Sequence, residues 1–131
     1  MGSFADYWEN EILDHIFGKG SYTPPTIYVG LSTAAPADDG SGLAEPTGNA
    51  YARVLTLAAD WNVASGGALD NANDITFSEA TGSWGAMTHF ALFDAATGGN
   101  MLAHGALSAS KAIGSGDVAK FAAGDLDVSL D

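Results

Sequence analysis

Few side chains in this chain of 131 residues are of the types that usually perform catalysis, since it has three histidines and no cysteine. The histidines are His15, His89 and His104. A Ser-His nucleophile would need a serine on a sharp turn between a strand and a helix. The two Gly-Ser-Gly segments, at 40–42 and 114–116, fall instead in a loop and in a predicted turn. We therefore predict no catalytic residues and a protein that is not an enzyme.

Metal binding is the second chemistry to consider, because His89 and His104 lie on the two arms of a predicted hairpin. A loop centred near residue 97 sets His89 opposite Gly105 and His104 opposite Phe90, so that the two rings point to opposite faces. The Asp and Asn clusters at 38–39 and 70–74 do not fit the frame of a calcium-binding loop. We predict neither a metal site nor a cofactor.

Charge excludes further classes of function. The 4 Lys and Arg residues against 16 Asp and Glu give a net charge of −12, which leaves no basic patch for nucleic acid or for an anionic membrane surface. Hydrophobic residues make up 47% of the chain and charged residues 15%, a composition that favours a folded domain over a disordered acidic segment. No apolar run is long enough for a membrane span, and we expect a soluble protein without a signal peptide.

One amphipathic helix is predicted over residues 3–17. Ser3 and Asp6 resemble a capping box at its start, and Gly18 is placed to end it. Its apolar face should dock on the protein's own sheet or on a neighbouring subunit. That face is formed by Phe4, Tyr7, Trp8, Ile12, Ile16 and Phe17.

The rest of the chain, 26–131, has the two-residue period of β-strands. Strands are predicted near 27–32, 51–58, 74–78, 87–93, 101–107, 118–121 and 126–130, with a long surface loop at 34–49. The hairpin of 87–93 and 101–107 is apolar on both faces and should be central. In the last strand Leu126, Val128 and Leu130 should point inward, and the acidic residues through Asp131 outward. We predict a single mainly β domain over 1–131, an antiparallel β-sandwich or open barrel of about seven to eight strands, jelly-roll-like, with one N-terminal helix.

Aromatic side chains on β-rich surfaces can stack on sugar rings. Trp84, in Gly82-Ser-Trp-Gly85 at the entry to a central strand, is typical of a buried anchor. Trp61 lies beside an Asn- and Gly-containing loop and is the candidate for stacking on a glycan.

Several collinear segments together resemble a known family. They are Phe4-Ala-Asp-Tyr-Trp-Glu-Asn-Glu-Ile-Leu-Asp-His-Ile-Phe-Gly18, Tyr22-Thr-Pro-Pro-Thr-Ile-Tyr-Val-Gly-Leu-Ser32, Tyr51-Ala-Arg53, and the segments 80–85, 88–100 and 102–105. The chain resembles, nearly from end to end, the small virion proteins of tailed bacteriophages that are usually described as tail fibre proteins. The resemblance implies a non-enzymatic structural component of the virion, on the capsid surface or the tail, synthesised in the cytoplasm of the host bacterium.

Length and pattern favour one of two positions in the virion. The chain has no internal repeat or heptad from which a fibre shaft could be built, so we expect a head decoration, or cement, protein on the outer capsid surface. Its partners would be the major capsid protein or other virion proteins, and we expect a homo-oligomer, by analogy a trimer. The alternative is a tail fibre or tail-tip module for host attachment that binds a glycan through Trp61. The candidate interface residues are Phe4, Tyr7, Trp8, Ile12, Phe17 and Leu43.

Overall fold

The computed structural model describes residues 2–130, which form nine strands and one α-helix. In chain order the elements are β1 (Gly2–Phe4), α1 (Asp6–Ile16), β2 (Tyr28–Ser32), β3 (Val54–Leu55), β4 (Ala68–Asp70), β5 (Ile75–Thr76), β6 (Gly85–Phe93), β7 (Met101–Ile113), β8 (Lys120–Phe121) and β9 (Asp127–Ser129), with a 3-10 turn at Ala58–Asp60 between β3 and β4. The mainly β fold with one helix near the N-terminus is thereby confirmed. Over residues 2–130, no helix is long and apolar enough to cross a bilayer.

Seven of the strands form one curled sheet, half of a barrel, in the order β3-β2-β6-β7-β1-β9-β4. Neighbouring strands are antiparallel except for β1 and β9, which run parallel. The remaining two strands, β5 and β8, pair as a small second sheet. Of the two predicted architectures, the single curled sheet corresponds to the open barrel.

The hairpin of β6 and β7 is central, as predicted. Near its turn, where both faces of this hairpin are covered, the residues are apolar on both sides, and Ala91, Leu102 and Ala103 have no exposed surface. One face contributes to the main core, and the other packs with Ala5 and Met101 in a smaller cluster.

Aromatic side chains join the small sheet to the inner face of the large one. The ring of Phe121 lies 6.1 Å from that of Phe90 and 6.5 Å from that of Phe77. Trp84 is buried, as predicted, with its ring 5.2 Å from that of Tyr51 and its indole N–H donating to a backbone carbonyl. These contacts make one continuous core between the two sheets.

The helix is shorter than the predicted 3–17, because residues 2–4 join the sheet between β7 and β9. Ser3 therefore does not cap the helix; Ala5 stands at the N-cap without a side-chain bond. Pairing on both edges satisfies more backbone groups in this segment than a first helical turn would. The end of the helix is as predicted: Gly18 has φ 73, and the N–H of Lys19 donates to Asp14 O at 2.7 Å.

Other strand boundaries also differ from the prediction. Only Val54–Leu55 of the predicted strand 51–58 is paired, since the chain then turns through Ala58–Asp60. Strand β4 lies between the predicted strands 51–58 and 74–78, where no strand was predicted, and it pairs with β9. In the last strand Leu126 and Val128 are buried as predicted, whereas Leu130, past the end of β9, is 57% exposed. Asp131, predicted to face outward, lies outside the described residues.

Candidate functional site

The only arginine of the chain, Arg53, is the centre of a buried polar cluster. Its Nη2 lies 2.6 Å from Glu45 Oε1 and its Nε 3.0 Å from Glu45 Oε2. Its Nη1 donates to the carbonyls of Ala95 and Gly98, each at 2.8 Å, and the guanidinium lies 3.4 Å from the ring centroid of Phe93. The side chain of Arg53 is 6% exposed. It therefore fixes the 34–49 loop and the turn of the central hairpin to the sheet.

Tyr51 and Gly30 complete this cluster. The hydroxyl of Tyr51 donates to Glu45 Oε2 at 2.7 Å and accepts the Leu31 N–H at 2.9 Å. Burial, and then the carboxylate of Glu45, raise the pKa of Tyr51 well above its usual range, so that the hydroxyl stays protonated. A Cβ on Gly30 would lie 2.9 Å from Glu45 Oε2, which shows that glycine is needed for the loop to approach the sheet.

A pocket of about 490 Å³ opens beside Arg53, where the start of α1, the 34–49 loop and the hairpin turn meet. Its volume lies within the range of small-ligand sites. The lining combines two aromatic rings, apolar side chains, carboxylates, one guanidinium and one side-chain amide. The residues are Asp6, Tyr7, Asp38, Asp39, Gly40, Leu43, Arg53, Phe93, Gly98, Gly99, Asn100 and Met101.

Hydrogen bonds hold the acidic side of this pocket in place. Asp38 Oδ1 lies 2.7 Å from His104 Nε2, and Asp39 Oδ1 accepts the hydroxyl and the N–H of Ser41 at 2.6 and 2.9 Å. These two donors lower the pKa of Asp39, whose side chain is therefore anionic at neutral pH. Since the charge of Arg53 is matched by Glu45, the pocket is acidic. It favours neutral or cationic ligands with hydroxyl donors over anions.

The two histidines of the hairpin lie on the same face of the sheet, and the predicted register was wrong at this point. Phe93 is opposite Met101, as the loop position predicts, but a bulge at the next pair shifts the register by one residue. His89 is therefore opposite Ala106, and His104 is opposite Ala91. Among the side chains that the structure describes, no group of three or more His, Asp or Glu could hold a metal ion.

The predicted interface residues are divided among different environments. The rings of Phe4 and Trp8 are tilted by 33° with their centroids 4.4 Å apart, and both pack with Tyr7 against the protein's own core. Ile12 is half-buried, whereas Phe17 is 73% exposed. Leu43 packs against the second apolar cluster and lines the pocket, and so joins Tyr7 there.

Trp61 is half-buried, with its ring against the main core and its indole N–H donating to Thr56 Oγ1 at 3.0 Å.

Arg53 and Glu45 were not predicted as site residues from the sequence. The available signal was a single arginine two residues after a tyrosine on a predicted strand, in a chain with 16 acidic residues.

The site offers an accessible acidic pocket on a β framework, a concave surface of the kind that small ligands occupy. Comparison with protein families gives a match over residues 3–129 to the model described as podophage GP4 fiber I protein gp80. The match covers nearly the whole chain, so the protein belongs to this family and is a structural component of a bacteriophage virion. Comparison with curated proteins found no match.

Proposed function

We propose that the protein is a non-enzymatic component of the tail fibre apparatus that acts in attachment to the host. The observation that carries this proposal is the family match, which spans residues 3–129 and so covers the sheet, the helix and the pocket together. The family description names a fibre protein and no capsid protein. It therefore favours the tail over the head decoration that the absence of a shaft pattern led us to expect.

The pocket beside Arg53 is the proposed contact with the host surface, and a neutral or amino-bearing saccharide is the proposed ligand. Tyr7 can stack on a sugar ring, while the carboxylates of Asp38 and Asp39 can accept hydrogen bonds from sugar hydroxyls. Trp61 stays a second candidate for stacking, and like Tyr7 it is partly buried against the main core.

Competition with phage adsorption tests this function. Purified protein, added in excess to host cells before the phage, should slow adsorption, and Tyr7→Ala should remove most of that effect. Val63→Ala is the matched control, since Val63 is 91% exposed and does not line the pocket. If the wild-type protein neither binds the cells nor slows adsorption, the attachment role is wrong.

Self-association, with a trimer as the expected state, is proposed to use the end of α1. Leu13, Ile16 and Phe17 are 54%, 69% and 73% exposed and are spaced so that they share one helix face. Sedimentation velocity should show a trimer that Phe17→Ser converts to monomer, whereas Val63→Ser leaves it intact. A wild-type protein that is monomeric at all concentrations would contradict this proposal.

A further inference from the structure

The tip of the 34–49 loop contains the one Asp-Gly pair of the sequence, Asp39-Gly40. In such a pair the aspartate carboxyl can react with the backbone nitrogen of the next residue, because glycine has no Cβ to hinder the attack. The loop also requires glycine here, since Gly40 has φ 86, a conformation that other residues rarely adopt. The fold therefore retains a chemically reactive pair at this position.

Both reacting groups are engaged in hydrogen bonds. The N–H of Gly40 donates to the carbonyl of Ala37 at 2.9 Å. Asp39 Oδ1 accepts the hydroxyl and the N–H of Ser41 at 2.6 and 2.9 Å, and these two donors lower the pKa of Asp39. Attack on the carboxyl can release water only when the carboxyl is protonated. An anionic carboxylate that is held by two donors therefore reacts slowly.

Further hydrogen bonds hold the loop tip closed. The N–H of Ala37 donates to the carbonyl of Ser41 at 2.8 Å. The N–H of Asp6 donates to the carbonyl of Asp38 at 3.0 Å, and Asp38 Oδ1 lies 2.7 Å from His104 Nε2. The tip must open locally before the two groups can react, so the free energy of that opening controls the rate.

We propose that Asp39 is a site of spontaneous isomerisation to isoaspartate, and that Ser41 keeps this reaction slow in the folded protein. The nitrogen of Gly40 bonds to Cγ of Asp39, and the amide proton and the carboxyl hydroxyl leave as water, which closes a five-membered succinimide. Asp39 and Ser41 are exposed, so water reaches this ring. Water that adds at Cγ restores aspartate, and water that adds at the other ring carbonyl gives isoaspartate.

Isoaspartate changes the rim of the pocket beside Arg53, which Asp39 and Gly40 line. The Cβ of residue 39 enters the main chain, and the free carboxylate is then attached directly to Cα. It can no longer accept both bonds from Ser41 in the present geometry. The displaced carboxylate weakens the pocket for a ligand with hydroxyl or amino donors. Only this consequence rests on the proposed function; the chemistry does not.

Mass spectrometry of incubated full-length protein tests the chemistry. The protein is held at mildly acidic pH and physiological temperature, either folded or unfolded in urea, and isoaspartate is located by electron-transfer fragmentation after digestion. Isoaspartate should form at Asp39 and not at Asp38, because the residue after Asp38 is not glycine. The folded chain should react at least about tenfold more slowly than the unfolded chain.

A serine variant tests the role of the loop tip. Ser41→Ala removes the hydroxyl donor and should accelerate the reaction of the folded protein about fivefold, while in urea it should react as fast as wild type. Ser115→Ala, in the other Gly-Ser-Gly segment, is the matched control and should leave the rate unchanged. Circular dichroism checks that each variant is folded.

Four results would overturn the proposal. They are no isoaspartate at Asp39 in either state, equal amounts at Asp38 and Asp39, a folded chain that reacts as fast as the unfolded chain, and a folded Ser41→Ala variant that reacts no faster than wild type.

Aged protein tests the consequence for the pocket. Wild-type protein that has isomerised at Asp39 should slow phage adsorption less than fresh protein does, and repair with an isoaspartyl methyltransferase and S-adenosylmethionine should restore the effect. Isomerised protein that competes as well as fresh protein overturns the effect on the pocket. Because isoaspartate is measured directly, the chemistry can fail while the attachment role stands, and the reverse also holds.

Discussion

Replacing Arg53 by alanine should be among the most destabilising single changes in this protein. The substitution removes five hydrogen-bonding contacts and the contact with Phe93, and it leaves the Glu45 carboxylate, only 18% exposed, without its cation. Breaking a buried ion pair from one side costs about 3 to 5 kcal/mol. Since Tyr51 still donates to Glu45, we expect about 3 kcal/mol of unfolding free energy, or a fall in Tm of about 10 °C.

Two further variants separate charge from geometry. Arg53→Lys keeps a cation near Glu45 but cannot also reach both carbonyls of the hairpin turn, so we expect a loss of about 1.5 kcal/mol. In the double variant Arg53→Ala/Glu45→Ala no buried charge is left unpaired. Its loss should be smaller than the sum of the two single losses by about 2 kcal/mol.

Urea unfolding followed by tryptophan fluorescence measures these differences, and the buried Trp84 is a suitable reporter. Lys19→Ala is the control, because it removes an exposed cation and should change stability by less than about 0.5 kcal/mol. The reasoning is refuted if Arg53→Ala is as stable as the control, or if the single losses simply add in the double variant.

Three other predictions follow from single contacts. Gly30→Ala should cost about 2 kcal/mol by pushing the polar cluster off the sheet, whereas Gly114→Ala, whose nearest neighbour would be 3.7 Å away, should be nearly neutral in urea unfolding. Asn71→Ala should cost about 3 kcal/mol because this fully buried amide forms hydrogen bonds with four backbone groups. A loss no larger than that of the exposed Asn62→Ala would contradict this. The hydrogen bond from the Leu57 N–H lowers the pKa of Asp60. The stabilising effect of this hydrogen bond should therefore be present above about pH 4 and be lost as the pH falls through the lower pKa of the native state. The difference in stability between wild type and Asp60→Asn should close in acid, and a difference independent of pH would be evidence against this role of Asp60.

The features that sequence could predict are those with local causes. The hairpin of β6 and β7 follows from two apolar runs around a glycine-rich turn, and the helix end follows from Gly18. The burial of Trp84 follows from its place in Gly82-Ser-Trp-Gly85 at the entry to a central strand. The buried and polar sides of the last strand follow from its period of two as far as Val128.

The features that sequence could not predict depend on distant partners. Gly2–Phe4 could equally begin a helix, and it becomes a strand only because Gly105 and Val128 flank it in the folded sheet. The pairing of Arg53 with Glu45 crosses a loop without periodicity, and its bond to the Gly98 carbonyl spans 45 positions. The hairpin bulge likewise leaves no local signal, and it moves the histidines to one face.

Cryo-electron microscopy of the intact virion tests the central claim most directly, by locating this chain and counting its copies. The proposed role predicts density for the chain at the tail, in the small number of copies that a fibre apparatus contains, with the pocket beside Arg53 facing outward. Density for the chain in many copies across the capsid surface, with none at the tail, would contradict it.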